Sequence, residues 1–196
     1  LMLGSVLFHV GVLIIFGGHF VGLLTPIEVF DAIGVSHGAK QVLAIIAGGI
    51  AGAMAIVGAL ILLHRRVFDP RIRATSSFGD TAILALLTAQ LVLGLSTIPL
   101  SSQHLDGSEM VKFMAWAQGI FTFQPGAAAH ISEVHWIFKA HLALGLTIFL
   151  VFPFTRLVHM LSAPIWYLNR RGWQLVRTRR GMADQKSRAR PSRGGR

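Results

Sequence analysis

The sequence predicts an all-α fold, an integral membrane helical bundle with four transmembrane helices. Three observations carry that prediction. Of 196 residues, 53% are hydrophobic and only 13% are charged, whereas a soluble domain has roughly a quarter of its residues charged. Mean hydropathy is +0.62. The charges sit in blocks, so long apolar stretches are left between them, each near the roughly 20 residues that a bilayer crossing takes. The basic residues, which give a net charge of +10, flank those stretches. That is the pattern of a membrane orientation signal, and it argues against a nucleic-acid surface.

The first stretch, Leu1–Leu24, is too long for a signal peptide, and no small-residue cleavage site follows it. The second is Gln41–Leu63 and the third Thr81–Leu100. The fourth, Ala140–Ala163, holds Pro153 and Arg156, so its far end is less purely apolar and a kink is expected at the proline. A shorter run over Val111–Phe123, with Trp116 inside it, reads as an interfacial helix. From Asn169 the chain is polar and Arg-rich, and its end, RPSRGGR, is expected to be disordered. The chain therefore divides into a transmembrane domain, 1–168, and a basic tail, 169–196. Cysteine is absent, which excludes disulfides, cysteine-ligated iron–sulfur clusters and thiol catalysis within the chain. Any metal must be held by His, Met or carboxylate.

Lys and Arg decide the expected orientation. The link between the second and third stretches carries Arg65, Arg66, Arg71 and Arg73, and ten more Lys or Arg follow the fourth. The other two links carry Lys40, Lys112 and Lys139 against Glu28, Asp31, Asp106, Glu109 and Glu133. The positive-inside rule places the Arg65–Arg73 link and the C-terminus in the cytoplasm. The first and fourth spans then run antiparallel.

Nine histidines remain to be explained. His37, His104, His130 and His135 fall in outer links and His64 beside Arg65, where a solvated or interfacial imidazole is the ordinary reading. His9, His19, His141 and His159 lie inside predicted spans, where ionisable groups are costly and usually functional. A single one is explained equally well by a hydrogen bond between helices; two in each of two antiparallel spans are not. Antiparallel packing matches His19 with His141 near the outer ends and His9 with His159 toward the inner ends. Two facing imidazoles are what the iron of a b-type haem takes as axial ligands. Along ideal helices His9 and His19 are about 15 Å apart and His141 and His159 about 27 Å. Tilt, the Pro153 kink or inclined haem planes must absorb the mismatch. Gly11, Gly17, Gly18 and Gly22 flank the first pair of histidines and Gly145 follows His141 by one turn. These glycines suit a flat, bulky group; the alternative is ordinary close helix packing. Arg156, one turn before His159, suits either a haem propionate or a snorkelling position.

Several longer motifs point further: LFHVG with GGHF ten residues on, LTP, AKQVLAIIAGG, LLHRRVFDPRIRAT, LGLSTIPLSSQHLDGSEM, WAQGIFTF, FKAHLALGLT and FPFTRLVH. Together, from Leu1 to about Arg180, they resemble the gamma subunit of respiratory nitrate reductase, a membrane cytochrome b. The resemblance implies two b haems, the inner held by His9 and His159 and the outer by His19 and His141. It implies a quinol substrate, menaquinol or ubiquinol, bound beside the outer haem near Lys40 and Gly18. From the residues alone, Lys40 at the outer start of the second span reads as a snorkelling lysine. The implied partners are an iron–sulfur beta subunit and a molybdenum-containing alpha subunit, with membrane lipid around the bundle and no nucleic acid. The implied location is a bacterial or archaeal cell membrane, in nitrate assimilation or anaerobic respiration. The family pattern has five transmembrane helices, and the first, before LFHVG, has no counterpart here. Rival readings are a quinone-reactive cytochrome b of a sulfite-reducing complex, and a haem-free membrane anchor. Trp166, Tyr167 and Trp173 among the tail arginines suit an interfacial belt or docking of the iron–sulfur partner.

Overall fold

The computed structural model describes residues 2–160, and among them every regular element is helical. Four helices are long and apolar enough to cross a membrane: Met2–Leu24, His37–Phe68, Phe78–Ser101 and Trp136–Phe154, the last including a short 3-10 turn. They match the four predicted stretches. We label the α-helices α1 (Met2–Leu24), α2 (Ile27–Ala32), α3 (His37–Phe68), α4 (Pro70–Thr75), α5 (Phe78–Ser101), α6 (Ser108–Phe121) and α7 (Trp136–Val151). The boundary expected near residue 168, the basic tail, and Trp166, Tyr167 and Trp173 lie outside the described residues.

Helix α3 is longer than the apolar run that predicted it. Apolarity stops at the charges, but the helix starts where Ser36 accepts a hydrogen bond from the Ala39 N–H at 3.2 Å. It stops only at Asp69, whose carboxylate accepts from the Arg71 N–H at 3.0 Å and so caps α4. Pro70 at the first position of α4 gives up no needed donor. Helix α5 opens on a capping box between Ser77 and Asp80. The segment predicted as an interfacial helix is α6, which packs on α1 and α3.

The long helices form a row in which α1 packs on α3, α3 on α5, and α5 on α7. The α1–α3 contact is made of small residues. Ala51, Ala55 and Ala59 are fully or almost fully buried on α3. A Cβ placed on Gly11 would lie 2.6 Å from the Ala51 carbonyl oxygen, and one on Gly4 would lie 2.7 Å from Ile61 Cγ2. Gly11, one of the glycines that suited either a flat group or close packing, therefore belongs to helix packing. Backbones this close gain dispersion energy in lipid, where apolar burial by itself drives little association. Most other α1 side chains, among them Leu13, Phe20 and Val21, face outward, as a lipid-facing helix requires.

One expectation is sharpened. The fourth stretch was read as Ala140–Ala163 with a kink at Pro153, and at the proline the helix is not merely kinked: α7 ends at Val151. Pro153 has no N–H to donate and its ring blocks the preceding turn. The chain continues as two 3-10 turns, Phe152–Phe154 and Arg156–Met160, separated by the extended residue Thr155 (φ −120°, ψ 170°).

The packing yields a direct test. Gly11→Ala should cost about 1–3 kcal/mol, because a backbone carbonyl cannot step aside for the new methyl group. Gly48→Ala, where a Cβ would meet nothing within 4 Å, should be neutral or stabilising by up to about 1 kcal/mol. Thermal unfolding in detergent measures both; equal midpoints would remove the close-packing account.

Candidate functional site

Helices α1 and α7 face each other from the two ends of the row and are not an extensively packed pair. Their histidines bridge the interval. The rings of His9 and His159 have centres 6.4 Å apart with planes at 61°. Those of His19 and His141 are 6.2 Å apart at 44°. The structure thus brings the four membrane-depth histidines together in the two antiparallel pairs expected from their depth.

The helix break explains how the unequal spacings meet. From His141 to the end of α7 at Val151 is ten residues, the same interval as from His9 to His19. Ten helical residues cover about 15 Å in each case. The remaining eight residues to His159 leave the helix and spend their length in the two 3-10 turns. The break at Pro153 removes the mismatch.

Hydrogen bonds fix the tautomers. Nδ1 of His9 donates to the Ser5 carbonyl at 2.8 Å, and Nδ1 of His19 to the Ile15 carbonyl at 2.8 Å. Nδ1 of His159 donates to the Arg156 carbonyl. A carbonyl oxygen only accepts, so Nδ1 carries a proton in each, and in a neutral ring that leaves the lone pair on Nε2. His141 differs. Its backbone carbonyl accepts from Gln90 Nε2 at 3.1 Å. Its Nδ1 and the Gln90 Oε1 are buried polar atoms without a hydrogen-bond partner among the described residues.

Small residues shape the surroundings. A Cβ on Gly17, Gly18 or Gly22 would meet nothing within 4 Å, so the α1 backbone beside His19 borders open space. On the other side, Gly94 of α5 lies under the His141 ring, where a Cβ would stand 3.0 Å from Cε1. Gly145 faces the Gln90 side chain instead. Gln90 and Gly94 were missed in the sequence because nothing in α5 singles them out; only the α5–α7 contact brings them to a histidine.

Lys40 departs from the snorkelling position. It is 6% exposed, and its Nζ donates to the Gly22 carbonyl at 3.0 Å, approaches Met114 Sδ at 2.8 Å and lies 3.7 Å from the centre of the Phe30 ring. The ammonium is thus held at the C-terminal end of α1, one turn beyond Gly18, by a free helix carbonyl and a cation–π contact. Gln118 of α6 donates to the Leu23 and Thr25 carbonyls at 3.1 and 3.2 Å, closing the same end.

At the opposite end, near Arg65–Arg73, Arg156 forms an ion pair with Asp80, Nε to Oδ1 at 2.8 Å. The Asp80 side chain is 8% exposed and that of Arg156 68%. No group of three or more His, Cys, Asp or Glu that could hold a bare metal ion occurs among the described residues. The histidines come in twos, a donor set suited to a metal whose other ligands arrive with it.

Comparison with known proteins agrees with this architecture. The family model described as nitrate reductase gamma subunit matches residues 1–179. The chain is 51% identical over 177 residues to the respiratory nitrate reductase 1 gamma chain of Escherichia coli (strain K12), covering 90% of this chain and 78% of that one. It is 49% identical over 180 residues to the respiratory nitrate reductase 2 gamma chain of the same organism, covering 92% and 79%. With the nitrate reductase gamma chain of Bacillus subtilis (strain 168) the identity is 40% over 167 residues, covering 85% and 74%. A bundle of membrane-length helices with this extent of similarity settles the assignment: the chain belongs to the nitrate reductase gamma subunit family and is a membrane subunit of that multi-subunit oxidoreductase.

Proposed function

We propose that this subunit is a di-haem cytochrome b that oxidises quinol and passes the electrons to an iron–sulfur subunit. The observation that carries the reading is the pair of histidine–histidine separations across α1 and α7. Imidazole nitrogens bind metals at about 2.0–2.1 Å, and a ring nitrogen lies a little over 1 Å from its ring centre. Two rings on opposite sides of one iron should therefore have centres about 6.3 Å apart. The observed 6.4 and 6.2 Å fit twice over. The Nδ1 hydrogen bonds of His9, His19 and His159 suit neutral rings that coordinate through Nε2, and second-neighbour carbonyls of this kind orient metal-bound imidazoles. Open space beside Gly17 and Gly18 suits a flat macrocycle.

His9 with His159, and His19 with His141, would hold one b haem each, and each haem supplies a one-electron redox centre within the membrane. The chain's own residues position those centres, exclude water and bind the substrate. Lys40, withdrawn from the surface near Gly18 and Gly22, offers a buried cationic donor to a quinol oxygen. Arg156 places positive charge at the end of the His9–His159 pair, suited to a propionate. The Arg65–Arg73 segment favours an orientation with that end in the cytoplasm, so quinol is oxidised near the outer surface and electrons leave inward. The family assignment supports an iron–sulfur beta subunit and a molybdenum-containing alpha subunit as partners, with nitrate reduced outside this chain. The respiratory names of the Escherichia coli relatives favour respiration over assimilation as the setting.

Pyridine-haemochrome analysis of the purified protein should give about two b haems per chain. His9→Ala or His159→Ala should remove one haem spectroscopically and His19→Ala or His141→Ala the other. A haem-free preparation would return the protein to the role of an anchor.

For Lys40, loss of a charge-assisted hydrogen bond worth about 1.5–3 kcal/mol should slow haem reduction by quinol about tenfold or more in Lys40→Ala, with both haem spectra retained. Stopped-flow reduction by a quinol analogue measures this. An unchanged rate would make Lys40 a structural cap of α1 only.

A further inference from the structure

Asp80 and the His159 ring are joined through a single residue. Arg156 accepts the His159 Nδ1 hydrogen bond on its carbonyl, and its guanidinium forms an ion pair with Asp80, Nε to Oδ1 at 2.8 Å. One end of this chain is rigid. Asp80 is 7% exposed, its Oδ2 accepts from the Ser77 N–H at 3.1 Å, and its own N–H donates to Ser77 Oγ at 3.1 Å. The carboxylate is therefore fixed in the first turn of α5, and Arg66 adds a second positive charge to its field. The other end needs restraint. The turn Arg156–Met160 follows the break in α7, contains no buried residue, and is connected through the extended Thr155. The hydrogen bonds of Leu157 and Val158 are local, to the Thr155 hydroxyl at 3.3 Å and the Thr155 carbonyl at 3.4 Å. Short 3-10 turns have poorer hydrogen-bond geometry than α-helices and hold a side chain less firmly.

We propose that Asp80 is a positioning residue: through its ion pair with Arg156 it pins the turn that carries His159 and so sets the orientation of that imidazole opposite His9. The proposal rests on the reading that His9 and His159 share a haem. It also gives Arg156 a role in holding the ligand, in addition to any contact with a propionate. A buried carboxylate is costly to leave unpaired, so the two side chains act as a unit, and removing either one takes this restraint from the turn.

The test uses membranes containing the assembled complex, with redox titration and low-temperature electron paramagnetic resonance resolving the two haems. The low-spin signal of a bis-imidazole haem depends on the angle between its ring planes, so it reports ligand orientation. Asp80→Asn, which keeps an acceptor for the α5 cap but loses the charge, should shift the signal and the midpoint potential of the His9–His159 haem and leave the other unchanged. Arg156→Gln should shift them in the same direction, and the double variant no further, because both substitutions break one link. A purely through-space effect of charge would move the potential in opposite directions in the two single variants, and that result would overturn the proposal. So would additive shifts, or an unmoved signal in Asp80→Asn or Arg156→Gln with two haems present. Should Asp80→Asn fail to accumulate, Arg156→Gln decides the matter by the same signal. Ser77→Ala, which loosens only the cap, should leave both haems unmoved. Absence of haem from the unmodified protein would overturn the haem reading itself, an outcome distinct from all of these.

Discussion

The close approach of α1 to α3 orders the remaining parts of this structure. Gly4 and Gly11 are seven residues apart, nearly two whole turns, so they share one face of α1, and that face meets Ala51, Ala55 and Gly58. His9 lies nearly opposite that face and His19 about a quarter-turn from it. Once the glycine face is pressed onto α3, neither histidine can turn toward it. Both are left to the side where α7 stands. In lipid, where side-chain apolarity does not separate one helix face from another, a stripe of small residues is what chooses the rotation of a helix.

The same bundle must also satisfy the carbonyls at its helix ends. Lys40, Gln41 and Gln118 each send a side-chain donor to a carbonyl at the C-terminal end of α1 or α5: Gly22, Ser101, and both Leu23 and Thr25, respectively. An unpaired polar group at membrane depth is costly, and these three residues close one end of the bundle against that cost. In doing so they draw a cationic group inward instead of letting it extend to the surface. A lysine held in this way is preorganised: the cost of ordering its long side chain has been met before any ligand arrives. Cap and candidate quinol donor are thus compatible roles for one ammonium group, which has three N–H bonds to give.

At the other end the decisive feature is an interruption. Had α7 continued straight through residue 159, His159 would stand about 12 Å beyond the level of His9. Pro153 stops the helix, and the eight residues after Val151 are used to return an imidazole to the His9 ring. The gain is a second ring pair matching the first. The cost is that its ring sits on a short, exposed turn, tied to the bundle by a carboxylate in the first turn of α5.

Much of this was determined by sequence alone. Apolar length specified four spans, since a bilayer of fixed thickness demands about 20 residues regardless of context. The improbability of ionisable groups at membrane depth singled out His9, His19, His141 and His159, and alternation of direction gave the same two pairs whose rings the structure brings within 6.4 and 6.2 Å. Local capping residues were also present to be read, and Ser36 and Asp69 explain why α3 and α4 start where apolarity would not have placed them. What the sequence left open were choices that depend on neighbours. Gly11 and Gly17 are the same residue type in the same helix, yet one is pressed on a carbonyl and the other faces open space. Lys40 could equally have snorkelled. Gln90, Gly94 and Asp80 acquire their relation to the histidines only through α5 packing beside α7 and its following turn. Composition and period report on a residue's solvent and its own helix; which of several equivalent small or polar residues meets a partner is decided by helix rotation, and that is fixed only when the helices pack.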